Sequence, residues 1–198
     1  MQHNSPRIAV LGAGAVGCYF GGMLARSGPP VTLIGRSHHV DAINRTGLFL
    51  ESVHFRGFVP VSASTDPAAA RDCAIVLLCV KTLDTEDAMK AVAPHLNSGA
   101  LVVSLQNGVD NVERIRSAVG VEAMPAVVYV AAEMTGPGRV RHNGRGDLVL
   151  PDRESASSLA SLFQRAGVPC RISANIAADL WTKMIMNCVY NAMSALSR

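Results

Sequence analysis

Residues 7–36 read RIAVLGAGAVGCYFGGMLARSGPPVTLIGR, and this stretch decides the fold. An apolar run, Ile8–Leu11, is interrupted by Gly12, Gly14 and Gly17. A helix-competent segment follows, then a second apolar run, Val31–Ile34. Strand, glycine turn, helix, strand is the dinucleotide-binding unit. Gly12 permits the tight turn, Gly14 lets backbone approach a pyrophosphate, and Gly17 lets helix and strand pack closely. The helix start offers unpaired N–H groups and a positive dipole end to phosphate. Units that take NAD usually carry Asp or Glu after the second strand, about 20 residues on, for the ribose 2′-hydroxyl. Here Gly35-Arg36 stands instead, with no acid before Asp41. A guanidinium pairs with a 2′-phosphate, so the cofactor is expected to be NADP; the other reading of Arg36 is a solvated loop charge.

The rest of the chain continues the alternation. A helix is expected over Val40–Thr46, and short strands over Leu48–Leu50 and Phe55–Val61. Buried strands are expected at Ala74–Val80 and Ala100–Leu105, and helices at Thr85–Ala93 and Val109–Val119. This is a Rossmann-like, doubly wound parallel α/β sheet. From Met124 the pattern changes. Pro125–Glu133, Arg139–His142 and Asp147–Leu150 read as short strands, separated by glycine-rich turns at Thr135–Gly138 and Asn143–Gly146. They are expected as antiparallel additions to the sheet edge. A helix, Glu154–Ala166, and a short strand, Cys170–Ile172, follow. Asn175 then caps a long helix to Leu196, apolar on most sides and therefore expected to be buried.

Ligands of open α/β sheets bind beyond the carboxyl ends of the strands. Lys81 follows one buried strand and Gln106-Asn107-Gly108 the other. Lys81 could face cofactor phosphate or ribose, and Asn107 nicotinamide or substrate; Asn107-Gly108 also reads as turn chemistry. On the long helix, Lys183, Asn187 and Asn191 recur every four residues and form one polar stripe about 12 Å long. A desolvated ammonium and two amides need partners, either an oxygen-rich ligand or a structural network between helices.

The 198 residues are 49% hydrophobic with a net charge of +3, enough for a real core and too little basic excess for a nucleic-acid partner. Arg7 followed by apolar residues imitates a signal peptide, but the glycine spacing explains that run better. No other stretch approaches the ~20 residues that span a bilayer, so no membrane partner is expected and the location reads as cytoplasmic. Five cysteines form no CxxC pair; four lie in apolar runs and read as buried free thiols. No metal is expected.

Together these segments resemble the ketopantoate reductase (2-dehydropantoate 2-reductase) family. The matching pieces are GAGAVG at 12–17, Arg36, VKT at 80–82, QNG at 106–108, PGRVRHNGRG at 137–146, LWTKMIMN at 180–187 and NAMSAL at 191–196. The resemblance implies NADPH-dependent reduction of a 2-oxo acid, ketopantoate or a relative of it. It implies cofactor contacts from Gly12, Ala13, Gly14, Ala15, Val16, Gly17, Arg36, Lys81 and Asn107. Lys183 would be the general acid, and Asn107, Asn187 and Asn191 would bind substrate. It also implies a cofactor domain over 1–172 and an all-helical domain beginning at 173, most of which is absent from this sequence. A glutamate and a serine of the family's active site come from that domain, and Asp84 stands where the family often has glutamine. The long helix is expected to pack against a second copy of the chain or against that helical remainder. The competing class is a cofactor-binding redox sensor without catalysis.

Overall fold

The computed structural model describes residues 5–197. Six parallel strands form the first sheet: β1 (Ile8–Leu11), β2 (Val31–Ile34), β5 (Ser62–Ser64), β6 (Ile75–Leu78), β7 (Leu101–Ser104) and β8 (Ala123–Pro125). Their order is β5-β2-β1-β6-β7-β8, so the winding reverses between β1 and β6. Helix α1 (Ala15–Arg26) connects β1 to β2, and α2 (Ser37–Thr46) follows β2. Helices α3 (Thr85–Val92) and α4 (Asn111–Val119) cover the other face, with Met89, Val92 and Ile115 packed on Val76, Leu78 and Val102. That double cover explains the continuous apolar runs of β1, β6 and β7.

The segment after Met124 departs from expectation. It does not extend the edge of the six-stranded sheet but builds a second sheet, ordered β11-β10-β3-β4, with β9 on β10. Its strands are β3 (Leu48–Glu51), β4 (Arg56–Val59), β9 (Val127–Gly136), β10 (Arg139–Pro151) and β11 (Cys170–Ser173). The β9–β10 pair is antiparallel as expected, whereas β10 runs parallel to β3 and to β11. Asn143–Gly146 is not a turn. β10 runs through it as one 13-residue strand, with register breaks on either side of Gly144-Arg145. Helix α5 (Glu154–Arg165) packs on this sheet through Leu159 and Phe163.

Helix α1 lies between the two sheets, which accounts for its apolar character on both sides. A Cβ on Gly21 would press on Leu33 of the first sheet, and one on Gly22 on Leu48 of the second. Phe20, Leu24 and Tyr19 fill the space between them. Cys18, Cys73 and Cys170 are buried, Cys79 is partly buried and Cys188 is exposed. Burial pushes the Cys18 thiol up to about 12, far from thiolate chemistry.

Helix α6 (Ile176–Leu196) ends the chain. Asn175 caps it, its Oδ1 accepting from the Ala178 N–H at 3.1 Å. Asp179 of its first turn accepts from Arg171 at 2.5 Å and from the Ser173 hydroxyl, tying it to β11. The expected burial is not met: no residue of α6 is buried, and Trp181, Ile185, Tyr190 and Met193 are each more than half exposed. The rest of the described chain reaches only one side of the helix, around Leu180, Lys183 and Asn187. Among the described residues no helix is long and apolar enough to cross a membrane.

Candidate active site

The reversal between β1 and β6 opens a crevice at the carboxyl ends of the strands, where such sheets bind ligands. Gly12 turns the chain out of β1 with φ of +112°, and a Cβ there would stand 2.8 Å from the backbone of Cys79 and Val80. A Cβ on Gly17 would fall on the Gly12 carbonyl oxygen. Gly14 differs: it is the N-cap of α1, makes no side-chain cap, and its Cβ position faces open space. Free N–H groups, a dipole end and an unobstructed approach are what a pyrophosphate requires. Ala13, Gly14, Arg36 and Lys81 line a cavity of about 360 Å³ here. Arg36 is exposed, caps α2 and makes no ion pair among the described residues. The residues present therefore fit a dinucleotide. His38 and Asp84 also line the cleft, while His39 accepts from the Gly138 N–H at 3.3 Å and so holds the β9–β10 turn.

Gly14→Ala tests this assignment without disturbing the fold. Its φ is −90° and nothing lies within 4 Å of the new methyl, so stability should fall by no more than about 1 kcal/mol, the difference between Gly and Ala at an N-cap. Dinucleotide affinity, measured by calorimetry, should fall at least about tenfold because the methyl occupies the approach to the phosphates. Unchanged affinity would place the pyrophosphate elsewhere.

The second constellation forms one turn beyond β7. Gln106 is buried and donates to the Val80 carbonyl at 3.0 Å and to the Thr85 hydroxyl at 2.7 Å, joining the ends of β6 and β7. Thr82 and Asn111 donate to the Asn107 carbonyl at 3.1 and 2.8 Å. The Asn107 backbone is thus fixed and its side chain is free to act. Gly108 has φ of +109°, so turn chemistry and site chemistry coexist in this dipeptide. Asn107 Oδ1 accepts from Lys183 Nζ at 2.7 Å, and the Val128 carbonyl accepts from the same ammonium.

Lys183 and Asn187 line a cavity of about 280 Å³ with Val16, Asn107, Tyr129 and Arg145. Val16 is in the first turn of α1, so this cavity adjoins the dinucleotide-binding turn. The Lys183 ammonium is lowered to about 8, by burial first and by the charge of Arg145 second, with Asp147 opposing both. Lys183, Asn187 and Asn107 line this one cavity together. Asn191 is exposed near the far end of α6 and is not among the described residues that line this cavity. Gln106, Tyr129 and Arg145 received no role from the sequence reading. A larger cavity of about 680 Å³ lies at the opposite ends of β1 and β2, between Arg7, Pro30, Asn44 and Phe58, and gathers none of the candidate residues.

The ketopantoate reductase PanE/ApbA family model matches residues 8–155. A curated 2-dehydropantoate 2-reductase from Pyrococcus horikoshii is 33% identical over 195 residues, covering 96% of this chain and 64% of the relative. The crystal structure of a PanE/ApbA family ketopantoate reductase from Ralstonia eutropha JMP134 is 53% identical, with a TM-score of 0.92 over 96% of this chain and 64% of that one. D-mandelate dehydrogenase, in a ternary structure with NADH and anilino(oxo)acetate, is 26% identical with a TM-score of 0.83, over 91% of this chain and 61% of that one. The chain thus spans slightly under two thirds of the length of these proteins.

Proposed function

The chain belongs to the ketopantoate reductase PanE/ApbA family, a family of dinucleotide-binding oxidoreductases, and from that premise we propose that its site serves the NADPH-dependent reduction of 2-dehydropantoate to pantoate, a step of pantothenate biosynthesis. The observation that carries this reading is the half-buried Lys183 ammonium, held by Asn107 and the Val128 carbonyl beside the turn that would bind a dinucleotide. When bound, the reduced cofactor supplies a hydride to the ketone carbon. Negative charge then develops on the ketone oxygen. Lys183 stabilises that charge and donates the proton that completes the alcohol. Asn187 offers the substrate neutral hydrogen bonds from the same wall, and Asn191 extends the stripe toward a larger ligand. The Asn107–Lys183 hydrogen bond fixes the direction from which the proton arrives.

Arg36 supports NADP over NAD, because an unpaired guanidinium beside the cleft suits a 2′-phosphate and a carboxylate would repel it. Arg36→Ala should weaken NADPH binding by about 1.5–3 kcal/mol and leave NADH binding nearly unchanged in calorimetry. Equal losses for both cofactors would refute the assignment. Residues 173–198 are read as the opening of a second, helical domain beyond a cofactor domain of 1–172. The exposed apolar side of α6 is its docking face, taken by further helices of that domain or by a second copy of the chain. Five unpaired thiols suit the cytoplasm.

Mixing the protein with NADPH and 2-dehydropantoate, and following loss of reduced-nicotinamide absorbance, tests the reaction. Turnover with another 2-oxo acid only would favour the second reading, to which D-mandelate dehydrogenase lends support. Tight cofactor binding with no turnover on any 2-oxo acid would favour the sensor.

A further inference from the structure

We propose that Arg145 binds the carboxylate of the substrate, and that the paired bulges of β10 serve to aim it into the Lys183 cavity. The proposal rests on the 2-oxo acid reading above and assigns the second half of that ligand.

The backbone provides the first argument. Opposite β9, after a first shift next to the turn at Arg139/Val140, β10 keeps register from Val140 to His142, skips Asn143, pairs again at Gly144-Arg145, and skips Gly146. One bulge would move every later residue to the other face of the sheet. Two bulges on the same strand shift the pairing by two residues in all and so restore the alternation of faces, and only the short segment between them is redirected. Arg145 sits there with φ of +58°, one of two non-glycine residues in the described chain with positive φ. Arginine holds such a conformation only where its surroundings impose it. Tyr19 packs against the same segment: stacked on His142 at 4.2 Å, it places its hydroxyl where a Cβ on Gly146 would otherwise stand.

The side chain provides the second argument. The Arg145 guanidinium lies over the Tyr129 ring, 4.0 Å from its centroid, and the Lys183 ammonium lies 5.4 Å from the same centroid. Asp147 accepts from Arg145 Nε at 3.1 Å and from one Nη at 2.9 Å, which orients the fork and leaves other N–H groups unspent. Lys183 and Arg145 are the two cationic side chains lining this cavity, among the described residues. With Asp147 beside them the local charge is +1, which a monoanion neutralises. A 2-oxo acid presents a ketone oxygen and, one bond away, a planar carboxylate. Lys183, a single point donor, suits the first; the planar fork of Arg145 suits the second.

Calorimetry with 3-methyl-2-oxobutanoate and its methyl ester, in the presence of the oxidised cofactor NADP⁺ so that no turnover occurs, tests this on the wild-type protein and on Arg145→Gln and Arg145→Lys. Arg145→Gln should weaken acid binding at least about tenfold and leave ester binding within about twofold. Arg145→Lys should fall between, since it keeps the charge and loses the fork; it also stands in if Arg145→Gln fails to fold. NADPH affinity, unchanged in both, verifies an intact fold. Equal losses for acid and ester, or none for the acid, would overturn the role of Arg145 and leave the reductase reading standing. A wild-type protein that binds neither probe would overturn both.

Discussion

Replacing Lys183 by methionine is expected to lower kcat for ketone reduction at least about 10²-fold, the range for loss of a general acid. Methionine keeps much of the aliphatic stem, so the change falls on the ammonium. That ammonium donates to Asn107 Oδ1 and to the Val128 carbonyl and leaves one N–H for a ligand. NADPH affinity should hardly move, because Lys183 is not among the residues lining the dinucleotide cleft. The pH dependence follows from the same environment. Burial, then Arg145, depress Lys183 to about 8 against the opposing charge of Asp147. The proton-donating form exists below that value, so kcat should be level in mildly acidic solution and decline as pH rises through about 8. Lys183→Met should lose this limb together with the rate. A folded variant with near-normal kcat and an unchanged pH profile would remove Lys183 from the chemistry.

The residues that made the fold legible are those with a single workable environment. Gly12 and Gly17 have backbone where a Cβ would be, so their spacing announced the first turn and helix. The continuous apolar runs of β6 and β7 announced strands covered on both faces. Ser62–Ser64 passed unnoticed because an edge strand of two serines and an alanine carries no apolar pattern. Asn143-Gly144-Arg145-Gly146 has the composition of a turn, and composition does not separate a turn from two bulges in one strand. That misreading also concealed Arg145, whose place depends on the bulges. Lys183 and Asn187 were visible as a polar stripe on an apolar helix, since spacing along a helix is local. Their meeting with Asn107 spans 76 residues of sequence, and only the sheet order brings the two together. The exposure of α6 was misjudged for a related reason: an apolar helix states that it needs cover, and nothing local states what covers it.

The largest effect on stability is expected at Gly12. Gly12→Ala should cost about 3–5 kcal/mol, of which backbone strain at φ of +112° accounts for part and collision with the Cys79–Val80 backbone for the rest. For a chain of this size that lowers the melting temperature by roughly 6–20 °C. Gly28 separates the two terms. Its φ is +118°, nearly that of Gly12, yet a Cβ there would meet nothing within 4 Å. Gly28→Ala should therefore show strain alone, about 1–2 kcal/mol. The difference between the two variants measures how closely the β1 turn approaches the end of β6. That approach matters for the site, because it sets the floor of the crevice between Ala13 and Lys81 in which the dinucleotide would lie. Gly12→Ala should accordingly lose cofactor affinity along with stability, while Gly28→Ala, at the far end of α1, keeps it. Equal destabilisation by the two substitutions would mean that β1 and β6 yield easily around Gly12, and the turn would then owe its glycine to φ alone.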